Sequence, residues 1–443
     1  MSLSSAFSRL LCCPLSGQNL QQQDDQLVSE DGKHSYPLVD GLPWLLAHPR
    51  NSLLDWGAKL NHFQQVLLQE ITQLELDRNQ SQGAVHDRIE CLLLAKKDFL
   101  LEITKLMQPL NQAKVASVEI YNALRDRAPA SQNLLSYEAN IYRDWQWGDE
   151  ENQQSLELIK KVAPAQLGKL CVLGAGACRL ALDVHQHFDT ELTVATDINP
   201  LFMFAVQKML RGESFFFTEF PLHPKIVDYV AIKHQMSGFD KVPDDFYLCF
   251  ADAAKPSFVK HAFDTVLTPW LIDIQPHEFS RFLTQLNQYV PIGGRWINLG
   301  SLVFNQNRES LCYSSDEVVE LAAAAGFEIE ELKQVEMPYL KSPYNAGYRM
   351  ETVWSWEAVK RQHVEADKDL SSIPVWLIDT GKPIPASQQA VAEQAKAAFL
   401  ADLYQRIDGE TSLRSLARKL AQKEGADAAE FEAMLVQFFL ERL

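Results

Sequence analysis

The sequence predicts an α/β protein: a doubly wound, mostly parallel sheet with smaller units at both ends. Three observations predict it. Residues 136–362 alternate short apolar runs with helical stretches, the rhythm of βαβ units. The first of these runs, LGKLCVLGAGA, ends in a Gly-x-Gly turn ahead of a helical pattern. The second, LTVATDIN, ends in an acid, Asp197. At 443 residues the chain exceeds one compact core, and about 100–200 residues per domain suggests several.

Composition narrows the function. Hydrophobic residues make up 47% and charged residues 22%, as in ordinary globular chains. The formal charge is −17, from 58 acids against 41 bases. A field of that sign repels phosphate backbones and anionic lipid, so neither nucleic acid nor membrane is expected as a partner. The apolar part of the N-terminus, Leu10 to Leu15, is too short for a signal-peptide core, and no run approaches the ~18 apolar residues of a membrane span. The seven cysteines are scattered and odd in number, which suits reduced thiols and a cytoplasmic location. No CxxC, HExxH or close Cys/His cluster is present, so no metal is expected.

The elements follow in order. Residues 1–50 read as a small β unit, with turn signals at Ser16-Gly17, Asp31-Gly32 and Asp40-Gly41 between short apolar pieces. LLCCP at its start and YPLVDGLPWLL at its end resemble the small zinc-ribbon domains that serve as activator subunits of tRNA and release-factor methyltransferases. Metal-binding members carry CxxC near the first position; here Pro14, Leu15 and Ser16 follow Cys13, so the resemblance implies the fold with its zinc ligands lost. A plain structural β cap is the other reading. Residues 51–135 carry apolar residues at i, i+3, i+4, i+7 in two stretches separated by the polar break Asn79–Gly83, predicting two long antiparallel helices with Pro109 ending or kinking the second. Residues 136–362 supply the strands, with FYLCFADA, FDTVLTPWLID, GGRWINLGSLVF, FEIEELKQVEMPY and METVWSWEAVK after the first two. Residues 363–443 hold a strand-like IPVWLIDTG and two or three helices. The turn Asp408–Ser412 with SLRSLARKLA behind it resembles PqqD-like winged-helix modules, which bind peptides or partner domains; a generic helical tail is the other reading.

The chemistry concentrates at strand ends. Gly174, Ala175 and Gly176 form a turn whose glycines allow positive φ and close approach of a ligand. Asp197 follows Gly174 by 23 positions and can accept hydrogen bonds from both hydroxyls of a ribose. That geometry suits NAD or S-adenosylmethionine. The third glycine of the dinucleotide pattern would fall at Arg179, so a pyrophosphate would sit poorly, whereas S-adenosylmethionine carries none.

Asp252 and Ala253 end the third strand, where class I methyltransferases commonly place an Asp that reads the adenine amino group; a helix cap is the alternative. Thr268 and Trp270 stand at the end of the fourth strand, on the expected catalytic face. The more specific resemblance rests on IYRDW, LGAGACRLA, WLIDI and WINLGSLVF, separated blocks within about residues 138–355. Together they look like the carnosine N-methyltransferase family, which methylates an imidazole nitrogen of a histidine-containing small molecule with S-adenosylmethionine. The resemblance implies a Rossmann-like class I methyltransferase core. There are departures: Cys178 replaces a family glycine, Asp197 a glutamate and Asn305 a histidine.

Carried over position by position, the resemblance gives Arg143 the cofactor's methionine carboxylate, with Asn140 assisting. It gives Asp273 the N–H of the substrate imidazole, and sets Tyr348 at the substrate as a further catalytic residue. Trp270, Asn305 and Arg349 would line the substrate site, with Arg349 able to meet a substrate carboxylate. Each also admits a structural role: a surface Arg143–Asp144 ion pair, Asp273 as a helix cap, Tyr348 as packing. The expected function is therefore N-methylation of a carnosine-like or thiohistidine-like molecule. A peptide or protein substrate recruited by the C-terminal module, or a non-catalytic scaffold, are the alternatives.

Overall fold

The computed structural model describes residues 3–112, 133–239, 243–275, 279–304, 306, 308–366, 383, 388–425 and 427–440. They fall into two compact units, Met1–Asp367 and Lys368–Leu443.

The first unit opens with the one-turn helix α1 (Ser5–Ser8) and four short strands, β1 (Leu20–Gln23), β2 (Gln26–Ser29), β3 (Ser35–Val39) and β4 (Leu42–Leu45). Asp40 and Gly41 both have positive φ (52° and 79°), the tight-hairpin geometry that a β-branched residue resists. A helical hairpin follows, α2 (Pro49–Gln80) and α3 (Gly83–Leu106), broken where the polar stretch predicts; Pro109 lies in a 3-10 turn beyond the end of α3. The short α4 (Ala139–Tyr142) runs into a π-helical turn over Arg143–Trp147, and α5 (Asp149–Val162) leads to the core.

The core alternates β5 (Gln166–Leu173), α6 (Arg179–His187), β6 (Asp189–Asp197) and α7 (Pro200–Leu210). A hairpin that sequence reading leaves unassigned, β7 (Phe215–Glu219) and β8 (Ile232–Met236), forms a separate two-stranded sheet. Then come β9 (Phe246–Ala251), β10 (Thr265–Pro269), α8 (Phe279–Tyr289), β11 (Arg295–Gly300), α9 (Ser315–Ala324), β12 (Phe327–Ile329), β13 (Lys333–Tyr339) and β14 (Arg349–Lys360). The segment FEIEELKQVEMPY, read as one strand, is two, both antiparallel to β14.

The sheet runs β1-β2-β3-β4-β9-β6-β5-β10-β11-β14-β12, with β13 also on β14. Pairings from β4 through β11 are parallel and β14 is antiparallel. Strand order reverses between β5 and β10, and ligands of such sheets sit at the carboxyl ends beside that switch point. The N-terminal strands are not set apart from the core: β4 pairs with β9 and all four of its residues are buried. Trp44 packs on Phe250 at 4.3 Å and donates its indole N–H to Ser52 Oγ. Burying a side chain of that size contributes about 3 kcal/mol.

All seven cysteines are free thiols. Cys13 Sγ lies 3.1 Å from the Tyr36 hydroxyl, both buried. Burial and the neighbouring Cys13 push the Cys12 thiol up to about 12. Among the described residues, no helix is long and apolar enough to cross a membrane.

Among its described residues the second unit has three helices, α10 (Gln388–Gln405), α11 (Leu413–Glu424) and α12 (Ala428–Leu440), around Leu403, Leu416, Leu420 and Phe431. The Asp408 carboxylate accepts N–H bonds from Glu410 and Thr411, and Ser412 caps α11. The strand-like IPVWLIDTG lies outside the described residues.

Candidate functional site

The site is built from the ends of β5 and β6 outward. Gly174 has φ +68°, which favours glycine, and a Cβ there would stand 2.6 Å from Leu271 Cδ1 and have to push that side chain aside. At Gly176 (φ +53°) a Cβ would meet nothing within 4 Å, which leaves that face of the turn open. Cys178, in place of the glycine of the resembling family, takes a left-handed φ of 62° at the start of α6.

Ala175 N–H donates to Thr196 O, and Gly176 N–H donates to Asp197 Oδ2 at 2.9 Å. Asn199 N–H donates to Asp197 Oδ1 at 2.8 Å. These bonds hold the carboxylate at the strand end, where it is 9% exposed. Burial raises the Asp197 carboxyl above its ordinary range, and the N–H donors oppose that shift.

The Tyr142–Trp145 segment is latched onto this turn. Trp145 Nε1 donates to Ala177 O at 2.9 Å, and Arg179 Nη1 donates to Asp144 O at 2.9 Å. Arg143 Nε and Nη2 both donate to Asp144 Oδ1, at 2.9 and 2.7 Å. A surface ion pair is thereby ruled out, because both side chains are largely buried. Asn140 Oδ1 accepts from the Tyr339 hydroxyl at 3.5 Å.

On the other side of the switch point, Trp270 takes φ +50°, a conformation that costs a bulky residue on the order of 1–3 kcal/mol. Its N–H donates to Leu299 O, and Gly300 packs so closely that a Cβ would stand 2.9 Å from Trp270 Cα. The ring meets Tyr339 at 4.8 Å. Asp273 lies just beyond, 4% exposed, its Oδ2 accepting from Ser301 Oγ (2.6 Å) and Val303 N–H (3.1 Å). Burial raises its carboxyl, the Ser301 and Val303 bonds lower it, and the charge of Glu351 raises it further.

Sequence reading missed Tyr339, Ser301 and Glu351. Tyr339 is buried, with the Arg349 guanidinium 4.9 Å and the Arg143 guanidinium 5.8 Å from its ring centre. It joins the Arg143 side of the site to the Trp270–Asp273 side. The signals were slight: an aromatic closing a strand, and a serine immediately after the WINLG strand.

One expected residue stands elsewhere. Thr268 is a correction: it is fully buried, and its hydroxyl is engaged by Trp296 Nε1 (2.9 Å) and the Asn298 amide (2.8 Å) between β10 and β11. It braces the sheet and does not face a ligand. Thr268→Val should therefore lower stability by about 1–3 kcal/mol, through the orphaned indole N–H, with KM for the cofactor unchanged; thermal unfolding beside a kinetic titration checks this. Tyr348 stands at the surface, beside Arg349. It is 53% exposed with Lys341 Nζ 5.4 Å from its ring, because it precedes β14 in the loop and the pleat does not turn it inward. Arg349, the first residue of β14, is also largely exposed, with Nε 3.1 Å from Glu351 Oε1. Asp252 is half-buried and its Oδ1 accepts from Ala254 N–H, while Ala253 is buried. Asn305 lies outside the described residues.

Residues 220–362 match the family model for carnosine N-methyltransferase. The chain is an S-adenosylmethionine-dependent methyltransferase. Its turn fits that cofactor: the open face at Gly176 and the buried, N–H-held Asp197 suit a ribose and need no pyrophosphate cradle. Solved structures show similarity at low identity. A Haloferax volcanii complex between the Trm112 methyltransferase activator and a protein described as a methyltransferase has 12% identity and TM-score 0.36, covering 52% of this chain and 97% of that one. A Methanosarcina mazei SAM-dependent methyltransferase has 13% identity and TM-score 0.33, covering 46% and 97%. A Haemonchus contortus phosphoethanolamine N-methyltransferase has 12% identity and TM-score 0.35, covering 53% and 61%. No curated protein matches.

Proposed function

We propose that this enzyme methylates an imidazole nitrogen of a histidine-derived small molecule. The observation that carries the reading is Asp273, a buried carboxylate held by Ser301 and Val303 at the end of β10 beside the Trp270–Tyr339 wall. When bound, S-adenosylmethionine supplies an electrophilic methyl group, which the imidazole lone pair takes as the carbon–sulfur bond breaks.

The chain's own residues have four tasks. Asp197 and the Gly174–Gly176 turn hold the ribose, and Asp252 and Ala253 the adenine. Arg143, with Asn140, grips the methionine carboxylate through the part of its guanidinium that Asp144 leaves unused. Asp273 accepts the N–H of the substrate ring, which fixes the tautomer and stabilises the positive charge that grows on the ring. Trp270 and Tyr339 form the wall that excludes water, and Arg349 at its rim meets a substrate carboxylate. The product imidazolium afterwards yields its ring proton to solvent.

The test is mass spectrometry of incubations with S-adenosylmethionine and histidine, carnosine, thiohistidine or a histidine-containing peptide. A gain of one methyl on an imidazole of a small molecule supports the reading. Methylation of the peptide alone would replace it with a peptide substrate recruited through the C-terminal unit. Methylation of none, with the cofactor bound, would sink both.

A further inference from the structure

We infer that the N-terminal unit is a built-in clamp on the adenine end of the cofactor site, with Leu10–Cys12 as positioning residues for Asp252. The inference rests on the reading that Asp252 receives the adenine.

Residues 252–259 leave β9 as a loop. Asp252 organises its first turn, through Ala254 N–H to its Oδ1 and Lys255 N–H to its carbonyl. Beyond Lys255, the N-terminal unit takes hold. Cys12 N–H donates to Ser257 O (3.0 Å), Val259 N–H donates to Leu10 O (2.9 Å), and Leu11 bridges Phe258 in antiparallel register. The Cys12 thiol donates to Pro256 O, and Ser257 Oγ donates to Leu45 O in β4. From the far side, Tyr289 donates its hydroxyl hydrogen to Lys255 O and accepts from Ser257 N–H. The loop is thus gripped from two sides, one of them supplied by residues that precede the core in sequence.

The gripping segment is itself anchored. Leu11, Cys13 and Tyr36 share one buried cluster, closed by the Cys13–Tyr36 contact. Arg211 Nη1 fastens the far hairpin by a fork to both oxygens of Asp40, at 2.8 and 2.9 Å. Without this unit, β9 would be an open edge strand and the loop after it would lose the backbone bonds from Leu10–Cys12, keeping the Tyr289 bonds and the packing of Phe258 on Phe263. A cofactor that had to order the loop on binding would bind more weakly; a loop ordered beforehand removes that cost.

The test uses the full chain and calorimetric titration with S-adenosylhomocysteine. Cys12→Pro deletes the amide donor to Ser257. It should weaken binding about 10-fold, with kcat at saturating S-adenosylmethionine within about 2-fold of the parent. Asp252→Ala should weaken binding as well. The double variant should bind no worse than the weaker single, because both substitutions act on one loop. Losses that multiply in the double variant keep the adenine assignment and overturn the clamp. Unchanged affinity in Asp252→Ala removes the assignment and the clamp with it. Where Cys12→Pro does not fold, Leu11→Ala carries the same cycle.

Discussion

Asp273→Asn should lower kcat by about 100- to 1,000-fold while leaving the affinity for S-adenosylhomocysteine within about 2-fold, as expected when a preorganised group that stabilises developing charge is removed. The amide can still accept a ring N–H, but it brings no negative charge to a ring that is becoming positive. Calorimetry and single-turnover kinetics separate the two quantities. Comparable turnover in the variant would remove Asp273 from the chemistry.

The pH profile gives the same residue a second signature. Burial raises the Asp273 carboxyl, so its ionised form is present only above that raised pKa and is lost as pH falls through it. The acid limb of kcat should therefore lie above the ordinary aspartate range of about 3.9, and the limb should vanish in Asp273→Asn. Stability runs the other way. A raised carboxyl pKa in the folded state means that ionisation is an expense of folding at neutral pH, relieved on acidification. The asparagine variant should accordingly melt at neutral pH no lower than the parent, which separates lost chemistry from lost fold.

Arg143→Lys should weaken cofactor binding by about 10- to 100-fold, with a smaller change in kcat at saturation. The guanidinium already gives Nε and Nη2 to Asp144 Oδ1, and the planar fork leaves further donors for a second carboxylate. A lysine ammonium keeps the charge that Asp144 needs in its buried place but is one point, and cannot serve two carboxylates in fixed directions. Removing the charge outright would strand Asp144, a loss of about 3–5 kcal/mol that would confuse binding with folding. Titration with S-adenosylhomocysteine decides the matter: affinity equal to the parent's would release Arg143 from the cofactor.

What the sequence by itself determined were the features that local chemistry writes into short windows. The βαβ alternation, the Gly174–Gly176 turn, Asp197 at the end of β6 and the break between the two long helices are all periodicities or turn residues, and each is where it was expected. WLID is a contiguous signature of the same kind, within the residues that match the family model. The tertiary structure alone decided what depends on which way a strand's pleat faces and on which distant segments meet. Thr268 reads as a strand-end residue in sequence, but the register of β10 on β11 turns its hydroxyl to Trp296 and Asn298. Tyr348 and Tyr339 are both aromatic residues near β14, and only the antiparallel pairing of β13 brings Tyr339 over Arg143 and Trp270. The N-terminal strands read as a small unit of their own; the structure joins them to the core through the parallel pairs Trp44 with Phe250 and Leu45 with Ala251, the Leu11–Phe258 bridge and the Arg211–Asp40 fork. Pairing across some two hundred positions is set by burial and backbone hydrogen bonds that no local window contains, and that is why it was the structure that joined the N-terminal unit to the loop after β9.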